Sequence, residues 1–311
     1  YARKSWERFT DVFLERRKMM RTTIQNKTAC AEVESLGAQL MSLKNAEGVE
    51  YLWQGDPAYW SSRAPILFPT VGNVRNGTTV IKGKPYAFKR HGFARNMEHV
   101  VLDSGANYVT YSLKDSEETK AIYPFAFELR VTYRLVENGL TTEFTVFNRG
   151  EECLPFGIGG HPGFRCPVMP GERFEDYIIL FEKEEHAVCP TIDLQTGLID
   201  FNNRREVLRG EREIALRHDL FVNDALVFDA LQSRTVQVVN RISGHGIEMD
   251  FSGYPMLGIW SALGEAPFVA LEPWAGCATA TDEDDVFTHK RHLNVLDPGE
   301  CRVFAFTVRL I

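Results

Sequence analysis

Four ionisable side chains in this 311-residue chain sit where glycine, proline and aromatic residues crowd around them. His91 lies in Lys89-Arg90-His91-Gly92-Phe93-Ala94-Arg95, and His161 in Gly159-Gly160-His161-Pro162-Gly163-Phe164. Asp224 lies in Val222-Asn223-Asp224-Ala225-Leu226, and Glu272 in Val269-Ala270-Leu271-Glu272-Pro273-Trp274-Ala275-Gly276. His161 and Glu272 each precede a proline, which biases their backbones toward extended conformations. Each can therefore end a strand and aim a polar side chain into a cleft. The glycines permit close ligand approach, and Phe164 and Trp274 offer faces on which a sugar ring can stack. Two histidines with two carboxylates are equipment for acid–base chemistry. Taken singly, each has a plainer explanation. His91 or His161 can satisfy backbone groups at a turn, and Asp224 can be a loop carboxylate bonded to its own backbone. Glu272 is the hardest to explain that way. It follows the apolar run Phe268–Leu271, where burying a carboxylate is costly unless it is paired or used.

Other chemistries fail on inspection. The run Gly157-Ile158-Gly159-Gly160-His161-Pro162-Gly163 has Pro162 where a dinucleotide loop needs its last glycine, and no helical pattern follows it. Neither a phosphate-cradling G-x-x-x-x-G-K-[ST] loop nor a G-x-S-x-G nucleophile elbow occurs. His289 and His292 lack the spacing of a helical zinc motif and read as a solvated face. Asp282, Glu283, Asp284 and Asp285 lack the alternation and the glycine of a calcium loop. No clustered ligand set points to a metal, and nothing points to an organic cofactor. The six cysteines form no C-x-x-C pair and no secretory apolar core opens the chain, so reduced thiols in a cytoplasmic protein are expected. A formal charge of -7 argues against nucleic-acid or anionic-membrane partners, which need a basic face. No apolar run is long enough to span a bilayer.

The elements that must position the four groups are strands. Phe127, Leu129, Val131, Tyr133 and Leu135 alternate with polar residues. Asn138-Gly139 then turns the chain into a second alternating run of Leu140, Thr142, Phe144 and Val146. An Asn-Gly pair between period-2 runs signals a type I′ hairpin, with positive φ at both central residues. Lys82-Gly83 between Thr79-Val80-Ile81 and Pro85-Tyr86-Ala87-Phe88 repeats the signal more weakly. Further strands are expected over 29–34, 38–44, 98–103, 107–113, 177–182, 225–229, 235–240, 246–251, 257–261, 267–272 and 301–310, and one helical turn over Asp56–Trp60. Residues 1–19 differ in texture: basic, with Trp6, Phe9, Val12 and Phe13 at helical spacing and Ser5 as a candidate cap. They read as a helical extension or as vector- or upstream-derived residues preceding a start at Met20. No linker or fixed repeat divides the remainder, so 20–311 is expected to form one large, all-β antiparallel sandwich.

The order His-Gly-Phe-Ala-Arg, Gly-Gly-His-Pro-Gly-Phe, Asn-Asp-Ala-Leu, Leu-Glu-Pro-Trp-Ala-Gly and Leu296-Asp297-Pro298-Gly299-Glu300 resembles the aldose 1-epimerase (galactose mutarotase) family. More narrowly, it resembles the branch associated with lactose and tagatose-phosphate operons. The resemblance spans about residues 21–311. It implies a galactose mutarotase-like supersandwich with an open sugar cleft, no metal and no cofactor. It matches Glu272 to the general base, His161 to the general acid, His91 to the second active-site histidine and Asp224 to a carboxylate that holds sugar hydroxyls. Many relatives carry an arginine in the loop that reads Gly72-Asn73-Val74-Arg75-Asn76-Gly77 here. By spacing that position is Asn73, so either Arg75 takes over the contact or hydroxyl recognition differs. The implied reaction interconverts α and β anomers of a hexose or hexose phosphate. Arg75, Lys89, Arg90, Arg95 and Arg165 are candidate phosphate contacts or plain surface charges. A non-catalytic carbohydrate-binding protein on the same scaffold is the alternative. A glycoside hydrolase or lyase is a third reading, disfavoured because the pair is a histidine and a carboxylate rather than two carboxylates.

Overall fold

The alternating runs dictate the frame. In Phe127–Val136 and Gly139–Asn148 nearly every second residue is buried, as one-sided strands require. They pair at the heart of a nine-stranded sheet in the computed structural model, which describes residues 20–311. The extension expected over 1–19 lies outside the described residues. The sheet runs in the order Ile199–Ala215, Tyr177–Ile192, Thr235–Asn240, Gly246–Asp250, Cys301–Leu310, Gly139–Asn148, Phe127–Val136, Tyr108–Lys114 and Val100–Gly105, with every neighbour antiparallel. A six-stranded layer runs Leu226–Phe228, Met256–Trp260, Phe268–Ala275, Ile158–Gly160 and Ile66–Leu67, with Gly163–Arg165 also bonded to Phe268–Ala275.

The layers close over one apolar cluster that extends from Ile24 to Leu310. Phe181 of the larger sheet meets Phe228 of the smaller at 5.3 Å between ring centroids. Gly160 lets them approach elsewhere, since a Cβ there would lie 2.9 Å from the Phe306 ring. The result is the expected all-β antiparallel sandwich. Among the described residues the only α-helix is Glu117–Lys120, begun by a Ser116–Thr119 capping box. The turn expected at Asp56–Trp60 is present, with Trp60 N donating to Asp56 O at 2.8 Å.

Two local expectations need correction. The hairpin at Asn138-Gly139 turns one residue earlier, because Gly139 already pairs with Val136 and only Asn138 has positive φ. The glycine serves close approach instead, since a Cβ at Gly139 would lie 2.1 Å from Val308 O. Both registers leave Leu135 and Leu140 facing inward, so alternation could not separate them. The weaker signal has the expected geometry: Lys82 and Gly83 both have positive φ. The strand expected over 177–182 runs on to Ile192 and returns as Ile199–Ala215. Its charged far half lacks an apolar period because much of it is exposed.

Candidate active site

Strand Phe268–Ala275 is buried along its whole length at the centre of the smaller sheet. Alternation splits its side chains. Val269, Leu271 and Ala275 join the core, while Glu272 and Trp274 line a cavity of about 250 Å³. His161 enters the same cavity from the neighbouring strand, directly after Ile158–Gly160. Its Nε2 stands 3.2 Å from Glu272 Oε1, and both residues are buried. Trp274 Nε1 donates to the other carboxylate oxygen at 3.3 Å. The Trp60 ring lies over His161 at 4.8 Å with a 31° tilt, and Trp260 meets it edge-on at 5.6 Å. These two indoles fix the imidazole plane so that Nε2 faces the carboxylate.

His91 is held by its backbone and its ring together. It has φ 67, its N donates to Gly72 O at 2.9 Å, and Gly72 N donates to its Nδ1 at 3.1 Å. A backbone N–H can only donate, so Nδ1 is the acceptor in that contact. Arg90 Nε donates toward Nε2 at 3.2 Å. A neutral imidazole has one acceptor nitrogen, so Gly72 N–H and Arg90 Nε–H compete for it through the choice of tautomer. Gly92 makes the turn possible, because a Cβ there would lie 2.1 Å from Phe68 O. Asp224, also at positive φ, accepts from Ala225 N through Oδ1 and sets Oδ2 3.7 Å from Arg90.

Burial shifts the proton affinities of the pair in opposite directions. It pushes the Glu272 carboxyl up from 4.5 to about 8, opposed by Arg90 and reinforced by Asp224. It pulls the His161 imidazole down from 6.5 to about 3, helped by the positive charge of Arg95. Burial holds His91 neutral as well, well below the ordinary range. The Glu272–His161 pair therefore carries one proton across neutral pH.

The raised carboxyl has a stability consequence. The unfolded chain releases this proton near 4.5 and the folded chain only near about 8. The associated stability is complete below the lower value and is lost as pH rises through the upper one. By pH 7 the loss is on the order of 3 kcal/mol. Glu272→Gln removes it, so the variant should melt higher than the parent, by a margin that widens from pH 5 to pH 8. Calorimetric melting at the two pH values checks this; a margin that narrows would contradict a carboxyl raised by burial.

With the geometry in view, comparison with known proteins is decisive. The sequence pattern of the family described as Aldose 1-epimerase matches residues 20–300. The chain belongs to that family. It is similar to the plasmid-encoded protein LacX of Lactococcus lactis subsp. lactis, 38% identical over 94% of this chain and 100% of that protein. It is also similar to a galactose mutarotase related enzyme of Lactobacillus acidophilus, with 35% identity, a TM-score of 0.88, and coverage of 94% of this chain and 97% of that one. A galactose mutarotase-like protein of Lactobacillus casei follows at 29% identity and TM-score 0.87, covering 94% and 100%.

Against that family background, the residues anticipated from sequence divide in two. Glu272, His161, His91, Asp224 and Trp274 all line the one cavity. Phe164 does not. It pairs with Val269 on the adjoining strand, so it shares the core face and is buried. Asn73 does not line the cavity either; its side chain donates to Thr196 O at 3.3 Å and pins the tip of the long hairpin. Arg75 does not replace it. Its guanidinium pairs with Asp285 and caps the carbonyls of Ala280, Thr281 and Glu283.

Asn73 is thus a tether outside the cavity, and the adjoining wall is built from Ile192, Gly197, Ile199 and Ala278. Of the five cationic candidates, Arg90 and Arg95 line the cavity, whereas Arg75, Lys89 and Arg165 do not. Sequence reading missed Trp60 and Trp260, which supply the aromatic faces that Phe164 was expected to give. A tryptophan ending a helical turn before a cleft strand was the available signal for Trp60. No group of three or more His, Cys, Asp or Glu side chains that could hold a metal occurs among the described residues. Likewise, no helix among them is long and apolar enough to cross a membrane.

Proposed function

We propose that the protein is an aldose 1-epimerase that interconverts the anomers of a hexose or hexose derivative by opening and reclosing the ring. The observation that carries this reading is the buried carboxylate–imidazole contact of 3.2 Å on the wall of a monosaccharide-sized cavity. In the forward step the proton of the pair, held on Glu272 while the cavity is empty, passes to His161 across 3.2 Å; the carboxylate so formed takes the proton of the anomeric hydroxyl, and that O–H pair becomes the carbonyl bond. The C1–O5 bond breaks, its electrons move to O5, and O5 takes the proton of the His161 imidazolium. Rotation about C1–C2 presents the other carbonyl face, and reclosure runs with donor and acceptor exchanged. The pair needs one proton in total and ends each turnover with one. His91 lines the cavity as a neutral group, Asp224 accepts from sugar hydroxyls, and Trp60 and Trp274 flank the ring. The six free thiols fit a reducing, cytoplasmic setting.

The test is polarimetry of freshly dissolved α-glucose and α-galactose, beside a reducing-sugar assay on their glycosides. Saturable acceleration without glycoside cleavage is expected. Acceleration should also survive exhaustive chelation with EDTA, since no step uses a Lewis acid. Loss on chelation with recovery on one divalent cation would overturn the proposed proton transfers.

A further inference from the structure

A second cavity of about 250 Å³ adjoins the catalytic one, and the proposed ring opening does not use it. The two share Ile192 and Ala225, which therefore form a threshold between them. Beyond the threshold the lining is mixed. Cys189, Leu226 and Val227 are buried and apolar. The side chains of Asn203, Arg205 and Asn223 make no hydrogen bond or ion pair with other described residues. Other arginines of the same strand are engaged, Arg204 with Asp229 and Arg209 with Glu206.

Sheet order fixes the direction from the reacting carbon to this cavity. In the smaller sheet Glu272 pairs with Gly258, and Gly258 with Val227. Directly opposed residues share a face, so these three form one row across the floor of the site. Neighbouring strands lie about 4.8 Å apart, which puts Val227 roughly 10 Å from Glu272. The middle of the row has no side chain, and the Trp274 indole lies over it. A Cβ at Gly258 would stand 2.7 Å from Trp274 Cζ2. His161 follows the strand on the other side of Glu272. The order along the floor is His161, Glu272, Gly258, Val227.

Resting on the mutarotase reading, we infer that the second cavity takes an acylamino group at C2, which makes the substrate a 2-acylamino-2-deoxyaldose. C1 carries O1, O5 and C2. With O1 on Glu272 and O5 on His161, C2 is directed away from His161, along the row toward Val227. A hydroxyl there ends one bond from C2. An acetamido group spans about 3.8 Å from C2 to its methyl, as any trans amide does, and so reaches the threshold. Its methyl then meets Ile192, Ala225 and Val227. Its N–H and C=O meet the amides of Asn203 and Asn223, each of which can donate and accept, with Arg205 as a further donor.

The experiment compares kcat/KM for anomerisation of glucose and N-acetylglucosamine, followed by proton NMR, in the wild type, Asn203→Trp and Asn223→Ala. Neither residue lines the catalytic cavity and both are exposed, so turnover of glucose should be kept. The wild type should prefer N-acetylglucosamine by about tenfold or more, the scale of one added hydrogen bond with one buried methyl. Asn203→Trp fills the second cavity and should bring the ratio to one or below. Asn223→Ala should lower it by about threefold, the share of one hydrogen bond. Calorimetric titration of the wild type gives the same comparison without a variant, and N-acetylglucosamine should bind about tenfold tighter than glucose. If both sugars are accelerated at a ratio near one, or Asn203→Trp leaves the ratio unchanged, the acylamino site is wrong and the mutarotase stands. If N-acetylglucosamine binds tighter but neither sugar is accelerated, the acylamino site stands and the mutarotase reading falls.

Discussion

Glu272→Gln is expected to lower the turnover number for anomerisation by about two orders of magnitude or more, the usual share of a general base. Glutamine keeps the shape and can still accept from Trp274 Nε1, which stands 3.3 Å from Oε2 in the parent. It cannot take the anomeric proton. Sugar affinity should change far less, because Asp224, His91 and the indole faces remain. The parent profile of kcat/KM against pH carries the same information. The pair loses its last proton as pH rises through about 8, so the rate should fall there. It gains a second proton as pH falls toward about 3, so the rate should fall again on the acid side. In Glu272→Gln the alkaline limb should vanish from the residual activity. A variant with near-normal turnover would remove Glu272 from the proton path while leaving the enzyme.

His161→Asn is expected to cost a comparable factor, since O5 then leaves without a proton from the protein. The two substitutions should not multiply. Groups that hand one proton between them across 3.2 Å act as a unit, so the double variant should be nearly as active as either single one. A double variant slower by the product of the two factors would mean two independent contributions. Asparagine also gives up the stacking on Trp60, so melting curves should accompany the rates.

Much of the site was legible because its residues violate ordinary strand chemistry. Glu272 interrupts an apolar run, and the cost of burying it there was visible without coordinates. His91-Gly92 and Asn223-Asp224 carry the turn residues that positive φ demands, which both His91 and Asp224 adopt. What failed was facing. Phe164 stands three residues from His161, yet strand pairing sends it to the core beside Val269. Proximity in sequence could not decide that, because one residue of register reverses a side chain. The Asn73 tether and the hairpin carrying Ile192 and Ile199 were illegible for a different reason. The arm Tyr177–Ala215 is charged and partly exposed along its far half, so its strands lack the apolar alternation by which strands are recognised. Its contribution to the wall depends on Asn73 meeting Thr196, 123 residues away. The overall sandwich survived these local errors because its frame rests on long alternating runs such as Phe127–Val136 and Cys301–Leu310.

The central claim is ring opening, in which C1–O5 breaks and C1 keeps its own hydroxyl oxygen. It is tested most directly by following anomerisation of freshly dissolved α-galactose in ¹⁸O-labelled water with the purified protein present. The account predicts saturable acceleration of the approach to anomeric equilibrium, with no label entering C1 on the timescale of the catalysed reaction. Absence of acceleration, or label entering C1 as fast as the anomers interconvert, would contradict it.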